Sequence, residues 1–393
     1  MVEKKGKVDT QMRYSPLKIP RMIRSHWRAK PKEALHLIGE PSTVKSDMVR
    51  FEAKVLAEKE GRQYFDWNKS MMAEKMDVVE HPEKYFVLGD IRASETDIGE
   101  LRLQDLKAAQ SFITFKYNIL FEAMSKKEAM GILFFDEMNL APNMIKAQFY
   151  KLINDRAIGD IPIGDEVLCI SAGNEAEHSR GVTEDPIPLV LRRGNYFVKP
   201  LTSEEYLDYA VKTGHNQWVT GFLAFAPHTL HMIKYDVTEG SGQPCARTWS
   251  KLSNLLNNNS DLGDEDIEMH AIAWVGQGVG MEFAAYVRSA RQIKLDDVLK
   301  NPKSINDFLN QKDLSIAYAI ISGVVEKFRG DKKVIKPAFE ICLHIERVEL
   351  GAYLLRCMKN VDDNKFMKAG KDDAIDELAT KVVERFAKYL IRT

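Results

Sequence analysis

Residues 34–58, ALHLIGEPSTVKSDMVRFEAKVLAE, pass from a short apolar run through a loop of small residues into a helical pattern, and the fold follows from how that passage is read. The loop, GEPSTVKS at residues 39–46, fits G-x-x-x-x-G-K-[ST] except that Val44 stands where the second glycine belongs. A strand, a tight loop and a helix start in succession aim consecutive backbone N–H groups at one point, which cradles phosphate oxygens at the positive end of the helix dipole. Gly39, Glu40, Pro41, Ser42, Thr43 and Val44 would line that cradle. Lys45 would reach the β- and γ-phosphates, and the Ser46 hydroxyl would bind Mg²⁺. The ligands implied are ATP and Mg²⁺. Glycine-poor loops before helices are common, so the weight of the string comes from the strand before it and the helix after it.

The surrounding sequence repeats this alternation. Apolar runs that read as buried strands lie at 34–38, 63–67, 85–91, 132–135, 167–171 and 196–198. Helical patterns such as 46–58 and 143–154 separate them, and in the second Ile145, Phe149, Leu152 and Ile153 share a face. Strand and helix in alternation imply an α/β fold, a parallel sheet with helices on both faces. Ligands of such sheets bind beyond the carboxyl ends of the strands. Near Pro200 the pattern changes to helices alone, at 203–212, 217–234, 247–256, 267–288 and several more to Thr393. The polar, turn-rich stretch 257–266, NNNSDLGDED, reads as a surface loop. The layout is a basic arm or helix at 1–30, a nucleotide-binding core at 31–200, a helical module at 201–296 and a helical extension at 297–393.

Two further strings carry chemistry. GILFFDE, residues 131–137, is an apolar strand delivering two carboxylates to the edge where the phosphate loop lies. Asp136 there can hold Mg²⁺ through its water shell and Glu137 can orient the attacking water. Read alone, the same string is equally a strand ending in a solvated acidic turn. ISAGNE, residues 170–175, ends a strand in small residues and Asn174, whose amide could orient water or touch the γ-phosphate; a turn asparagine after glycine is the plain reading.

Taken in order, GEPSTVKS, GILFFDEMNLAP, NDRAIGD and SAGN resemble the MoxR-type AAA+ ATPases over roughly residues 10–290. The resemblance implies a three-layer αβα P-loop core with a five-stranded sheet, a helical lid and a ring of identical subunits, usually six, with nucleotide sites between subunits. It assigns Gly39, Lys45 and Ser46 to the phosphate loop, Asp136 and Glu137 to the Mg²⁺ and hydrolysis strand, and Asn174 to the first sensor. LVLRR, residues 189–193, falls where the family carries its arginine finger, so Arg192 or Arg193 would stabilise transition-state charge in a neighbour's site. PCARTW, residues 244–249, resembles the second sensor, with Arg247 reaching the γ-phosphate. Arg156 and Arg180 lie in similar segments and receive no role. Such relatives often act with partners carrying a von Willebrand A domain, which makes a protein client of that kind the expected partner.

Ser42 and Val44 depart from the family, since glycines are usual at both places. A β-branched residue resists positive φ, so a valine held there would be expected to weaken nucleotide binding. Other strings carry less. Gly276, Gly278 and Gly280 follow no strand and read as close helix packing rather than a dinucleotide loop. His228 and His231 have no third metal ligand near them in sequence. Phe112, Phe115 and Tyr117 precede the acidic strand, where the family carries pore or interface insertions, and packing is the favoured reading.

Composition bounds the rest. The formal charge of −1 argues against a chain that coats nucleic acid along its whole length. Residues 1–32 nevertheless hold ten Lys or Arg against Glu3 and Asp9, which keeps a nucleic-acid motor or loader as the alternative; a nucleotide-binding scaffold with little turnover is a third. Cys169, Cys245, Cys342 and Cys357 are scattered, fit no zinc pattern and read as reduced, packed thiols. No apolar h-region opens the sequence and no apolar run is long enough for a bilayer, so no membrane association and a cytoplasmic location are expected.

Overall fold

A computed structural model describes residues 11–29, 32–105, 114–175, 185–234, 241–309, 314–361 and 373–390. The chain forms two compact units, residues 1–200 and 201–393.

The first unit is built on a seven-stranded sheet whose described neighbours all pair in parallel. Its strands are β1 (Arg13–Tyr14), β2 (Leu35–Gly39), β3 (Gln63–Asp66), β4 (Tyr85–Arg92), β5 (Met130–Asp136), β6 (Glu166–Gly173) and β7 (Gly194–Val198), in the spatial order β1-β7-β2-β6-β5-β4-β3. All six apolar runs are strands. The five central strands, β7-β2-β6-β5-β4, are flanked by β1 and β3, which corrects the expectation of five. β1 lies within the segment read as a basic arm, and two residues without periodicity give no strand signal of their own.

Helices α1 (Ile19–Arg28), α2 (Lys45–Lys59) and α3 (Asn143–Asp155) make the outer layers. Ile132 and Phe134 of β5 pack with Leu35 and Leu37 against Ile23 and Trp27 of α1 and Val49, Ala53 and Leu56 of α2. Leu133 and Phe135 pack on the opposite face with Val167 and Cys169 against Ile145, Phe149 and Leu152 of α3. A strand covered on both faces reads as a continuous apolar run, which is why β5 was legible. Each such side chain contributes roughly 1.5–3 kcal/mol by leaving water. The result is the α/β/α architecture of the AAA+ kind, with the loop of residues 39–46 following a central strand.

The 102–105 and 114–117 strands form an antiparallel hairpin, and Ala157–Ile158 pairs with Ile161–Pro162. Tyr117 accepts a hydrogen bond from the Asp160 amide at 3.1 Å, so it packs on this second hairpin as expected. Phe112 lies outside the described residues.

The second unit is helical. A capping box of Thr202 and Glu205 starts its first helix, Ser203–Thr213. The expected helix at 217–234 ends at Phe225, because Pro227 cannot continue it and instead opens a short 3-10 turn. The expected helix at 267–288 is two, Asp264–Val275 and Gln277–Arg291, separated by Gly276 at φ 83°. A Cβ on Gly280 would come within 2.6 Å of the Ile272 backbone, so this glycine serves close helix packing. All four cysteines are buried and free, and burial pushes the Cys169 thiol up to about 11 and Cys357 to about 12. Among the described residues no helix is long and apolar enough to cross a membrane.

Candidate functional site

Because the strands run parallel, their carboxyl ends share one edge of the sheet, and three of the segments singled out in the sequence, residues 39–46, 131–137 and 170–175, meet there. β2 delivers Gly39. A Cβ at Gly39 would lie 2.3 Å from the Val198 carbonyl oxygen of β7, so no larger residue fits this start of the loop. Lys45 is folded over the loop, its Nζ donating to the Gly39 and Glu40 carbonyls at 2.9 Å each and to Thr43 Oγ1 at 3.0 Å. The ammonium thus sits within the curl of backbone that would surround a phosphate.

β5 brings its carboxylates to the same place. Ser46 Oγ donates to Asp136 Oδ2 at 2.6 Å, and Asp136 Oδ1 accepts from the Glu137 amide at 3.0 Å. Glu137 has φ 56° and its carboxylate accepts a hydrogen bond from Ser94, in the loop after β4. On β4, Asp90 pairs with Arg50 of α2 at 2.5 Å; burial raises the Asp90 carboxyl, partly offset by Arg50. Among the described residues no three His, Cys, Asp or Glu side chains converge as a metal cage, His228 and His231 included. A divalent cation would therefore depend on the Ser46 hydroxyl, water beside Asp136 and phosphate oxygens. That hard-oxygen set, with few protein ligands, suits Mg²⁺.

Asn174 follows β6, between the ends of β2 and β5. Its backbone is gripped by one side chain: Asn139 donates through Nδ2 to the Asn174 carbonyl and accepts the Asn174 amide through Oδ1 at 3.1 Å. Glu175 pairs with Arg13 of β1 at 2.5 and 2.9 Å. Neither Ser94 nor Asn139 was singled out in the sequence. Asn139 lies within the MNLAP string, but its partner is 35 residues away and no local pattern joins them.

The two arginines before β7 differ. Arg193 is buried, its side chain 1% exposed and its guanidinium paired with Asp185. Arg192 is exposed and lies over Tyr150 of α3, 5.4 Å from the ring centroid. Gly194 is in register with Leu35 and Val198 with Gly39, so Arg192 stands at the amino edge of the sheet. The four residue steps of β7, about 13 Å at ~3.3 Å each, lie between the turn that carries Arg192 and the loop's start. Arg156 caps α3 with φ 50° and donates to the Gly164 and Val167 carbonyls, a structural use. Arg247 is exposed in the first turn of Ala246–Asn258 in the helical unit, and Arg180 lies outside the described residues.

The two departures from glycine fall where backbone conformation matters. Ser42 has φ 62° and Val44 φ 51°, both in the left-handed region. Val44 therefore carries the strain its branching predicts, roughly 1–3 kcal/mol. The same left-handed conformation goes with Lys45 closed onto the loop's own carbonyls. Val44→Gly is expected to stabilise the chain by about 1 kcal/mol after the entropy cost of glycine, and to leave ATP affinity within about threefold. Thermal melting and titration with a labelled ATP analogue check both halves. Tenfold tighter binding with unchanged melting would place the strain on the bound state instead.

No family model matches the chain, and no curated protein matches it. Among solved structures it is similar to a "putative ATPase" from Cytophaga hutchinsonii, at 10% identity and TM-score 0.30, covering 89% of this chain and 76% of that one. It is also similar to Cdc6p from Pyrobaculum aerophilum, at 11% identity and TM-score 0.38, covering 92% and 97%. At these scores neither likeness bears on function, and the fold rests on the strand order and on the loop after β2.

Proposed function

We propose that this chain is a Mg²⁺-dependent ATPase of the MoxR type within the AAA+ class, acting as a ring, with six subunits the expected number, that remodels a protein partner. The observation that carries this reading is the Ser46–Asp136 hydrogen bond at 2.6 Å beside Lys45, which joins a phosphate loop to an acidic strand end. The loop amides and Lys45 would bind and orient the β- and γ-phosphates, and Ser46 and Asp136 would hold the cation. Bound Mg²⁺ would supply charge neutralisation across the phosphates. Glu137 would take up the proton of the attacking water, with Ser94 holding its carboxylate, and Asn174 would orient that water. Arg192, at the far edge from its own phosphate loop, would act on a neighbouring subunit, which is the physical reason for a ring. Arg247 as a second sensor and a von Willebrand A domain client belong to the same proposal.

A nucleic-acid motor would draw on the basic segment 1–32. Two of its cations are committed elsewhere, Arg13 to Glu175 and Lys32 to Glu166 at 2.7 Å, which weakens that alternative. A scaffold with little turnover would draw on Val44.

The deciding measurement is phosphate release from ATP with Mg²⁺ and with excess chelator, alongside Lys45→Ala. Turnover is expected with Mg²⁺ alone, and no nucleotide-dependent behaviour is expected in the variant. A wild-type chain that binds a labelled ATP analogue no better than Lys45→Ala does would sink the proposal.

A further inference from the structure

The proposed chemistry leaves the β3 side of the sheet unused. Among the described residues β3 pairs only with β4, from Gln63 opposite Tyr85 to Asp66 opposite Leu88. A strand with a single partner turns the rest of its backbone N–H and C=O groups outward. Ser70 Oγ donates to the Asp66 carbonyl at 2.8 Å, which closes the carboxyl end of the strand. Alongside, β3 and the helix Met72–Glu80 wall a groove of about 490 Å³, and all four residues of the strand line it. The helical wall is anchored. Val78 is buried in the same cluster as Phe65, the Tyr85 hydroxyl donates to Asp77, and Glu74 accepts the Met71 amide at 2.7 Å.

Charge decides what this groove accepts. Strand alternation puts Tyr64 and Asp66 on one face of the sheet and Gln63 and Phe65 on the other. Tyr64 packs with the α2 cluster, whereas Phe65 packs with Val78 of the helix Met72–Glu80. Asp66 therefore stands on the α2 face of the edge, and Glu74 and Asp77 belong to the opposite face. The residues lining the groove include these three carboxylates and no Lys or Arg. Lys69 Nζ lies 3.5 Å from Asp66 and His81 Nε2 4.0 Å from Asp77, surface pairs that offset little of the negative charge. An acidic strand is repelled from such an edge. A strand bearing Lys or Arg is drawn to it from either face, and that difference selects the partner.

We propose that the groove along β3 docks an extended basic segment of a protein partner, which joins the sheet as a further strand. Main-chain hydrogen bonds to β3 supply the hold, and Lys or Arg side chains meeting Asp66, Glu74 and Asp77 supply the selection. The docking does not depend on the ATPase reading.

The test uses the full chain and a fluorescent Lys-Val-Lys-Val-Lys-Val peptide, with binding read by anisotropy and amide hydrogen exchange read over residues 63–66. Saturable binding is expected, with exchange over 63–66 slowed by about fivefold or more. The Glu-Val counterpart should bind at least about tenfold more weakly, and raising salt from about 50 to about 500 mM should weaken the Lys-Val peptide at least about fivefold. A Lys-Val peptide N-methylated on its two adjacent central residues loses a ladder donor on either side. It should bind at least about tenfold more weakly than the unmodified one. Glu74→Gln with Asp77→Asn keeps an acceptor for the Met71 amide and for the Tyr85 hydroxyl while removing both charges, and should weaken binding about fivefold. If that double variant does not fold, the peptide comparisons on the wild type decide. Equal binding of the methylated peptide would reduce the contact to charge alone and overturn the proposal. So would absence of binding, or protection confined to segments other than β3. Protection of 63–66 that rises with protein concentration, and to which the peptide adds nothing, would assign the edge to a second copy of this chain instead.

Discussion

Glu137→Gln is expected to bind ATP as the wild type does and to hydrolyse it at least about a hundredfold more slowly, the scale set by losing a general base. Glutamine keeps the size of the side chain and can still accept the Ser94 hydrogen bond, so the loop geometry after β5 should persist. It cannot accept a proton from water. Because the Ser46–Asp136 pair is untouched, affinity for nucleotide should stay within a few-fold, and the variant should accumulate as an ATP-loaded oligomer. Phosphate release, analogue titration and sizing with ATP measure the three parts. Turnover close to the wild type would remove Glu137 from the chemistry and turn attention to water held by other groups at that edge.

Arg192→Ala is expected to cut turnover by about a thousandfold, the lower range for an arginine supplied to a transferring phosphoryl group, while sparing ATP binding. The structure separates it from its neighbour. Arg193 is buried on Asp185, so Arg193→Ala should lower stability by about 3 kcal/mol through the broken buried pair. Arg192 lies exposed over Tyr150, and its removal should leave melting nearly unchanged. Mixing Arg192→Ala with Glu137→Gln should restore part of the activity, since one subunit brings an intact arginine to the other's intact carboxylate. Full activity in Arg192→Ala on its own would falsify the assignment and make Arg180 the next candidate.

What the sequence made legible is what lies close together in it. Residues 34–58 contain a strand, a tight loop and a helix start in one unbroken run, and residues 131–137 contain a strand and its two acids. Local strings sufficed for both. β1 was invisible because two residues have no period and its existence depends on pairing with β7. Helix ends were misplaced where one residue overrode the pattern, at Pro227 and at Gly276. Arg192 and Arg193 are adjacent and chemically identical, so nothing in the sequence tells which is buried; the tertiary position of Asp185 decides that. The Asn139 grip on Asn174 and the Ser94 bond to Glu137 join segments whose proximity is a product of the sheet order, which no single string encodes.

The edges of the sheet carry a consequence for how copies of this chain can meet. An open edge offers a row of unpaired N–H and C=O groups on which another strand can grow, and long flat edges invite that growth. Among the described residues one edge is β1, two residues long, and the other is β3, four residues long and ending in Asp66. A strand arriving at β1 would find a ladder of at most two residues, too short to hold it. Self-association by continuing the sheet is therefore disfavoured at that side. A neighbour approaching that side would instead have to be recognised by side chains on helices and loops, where charge and shape can distinguish a correct neighbour from a wrong one.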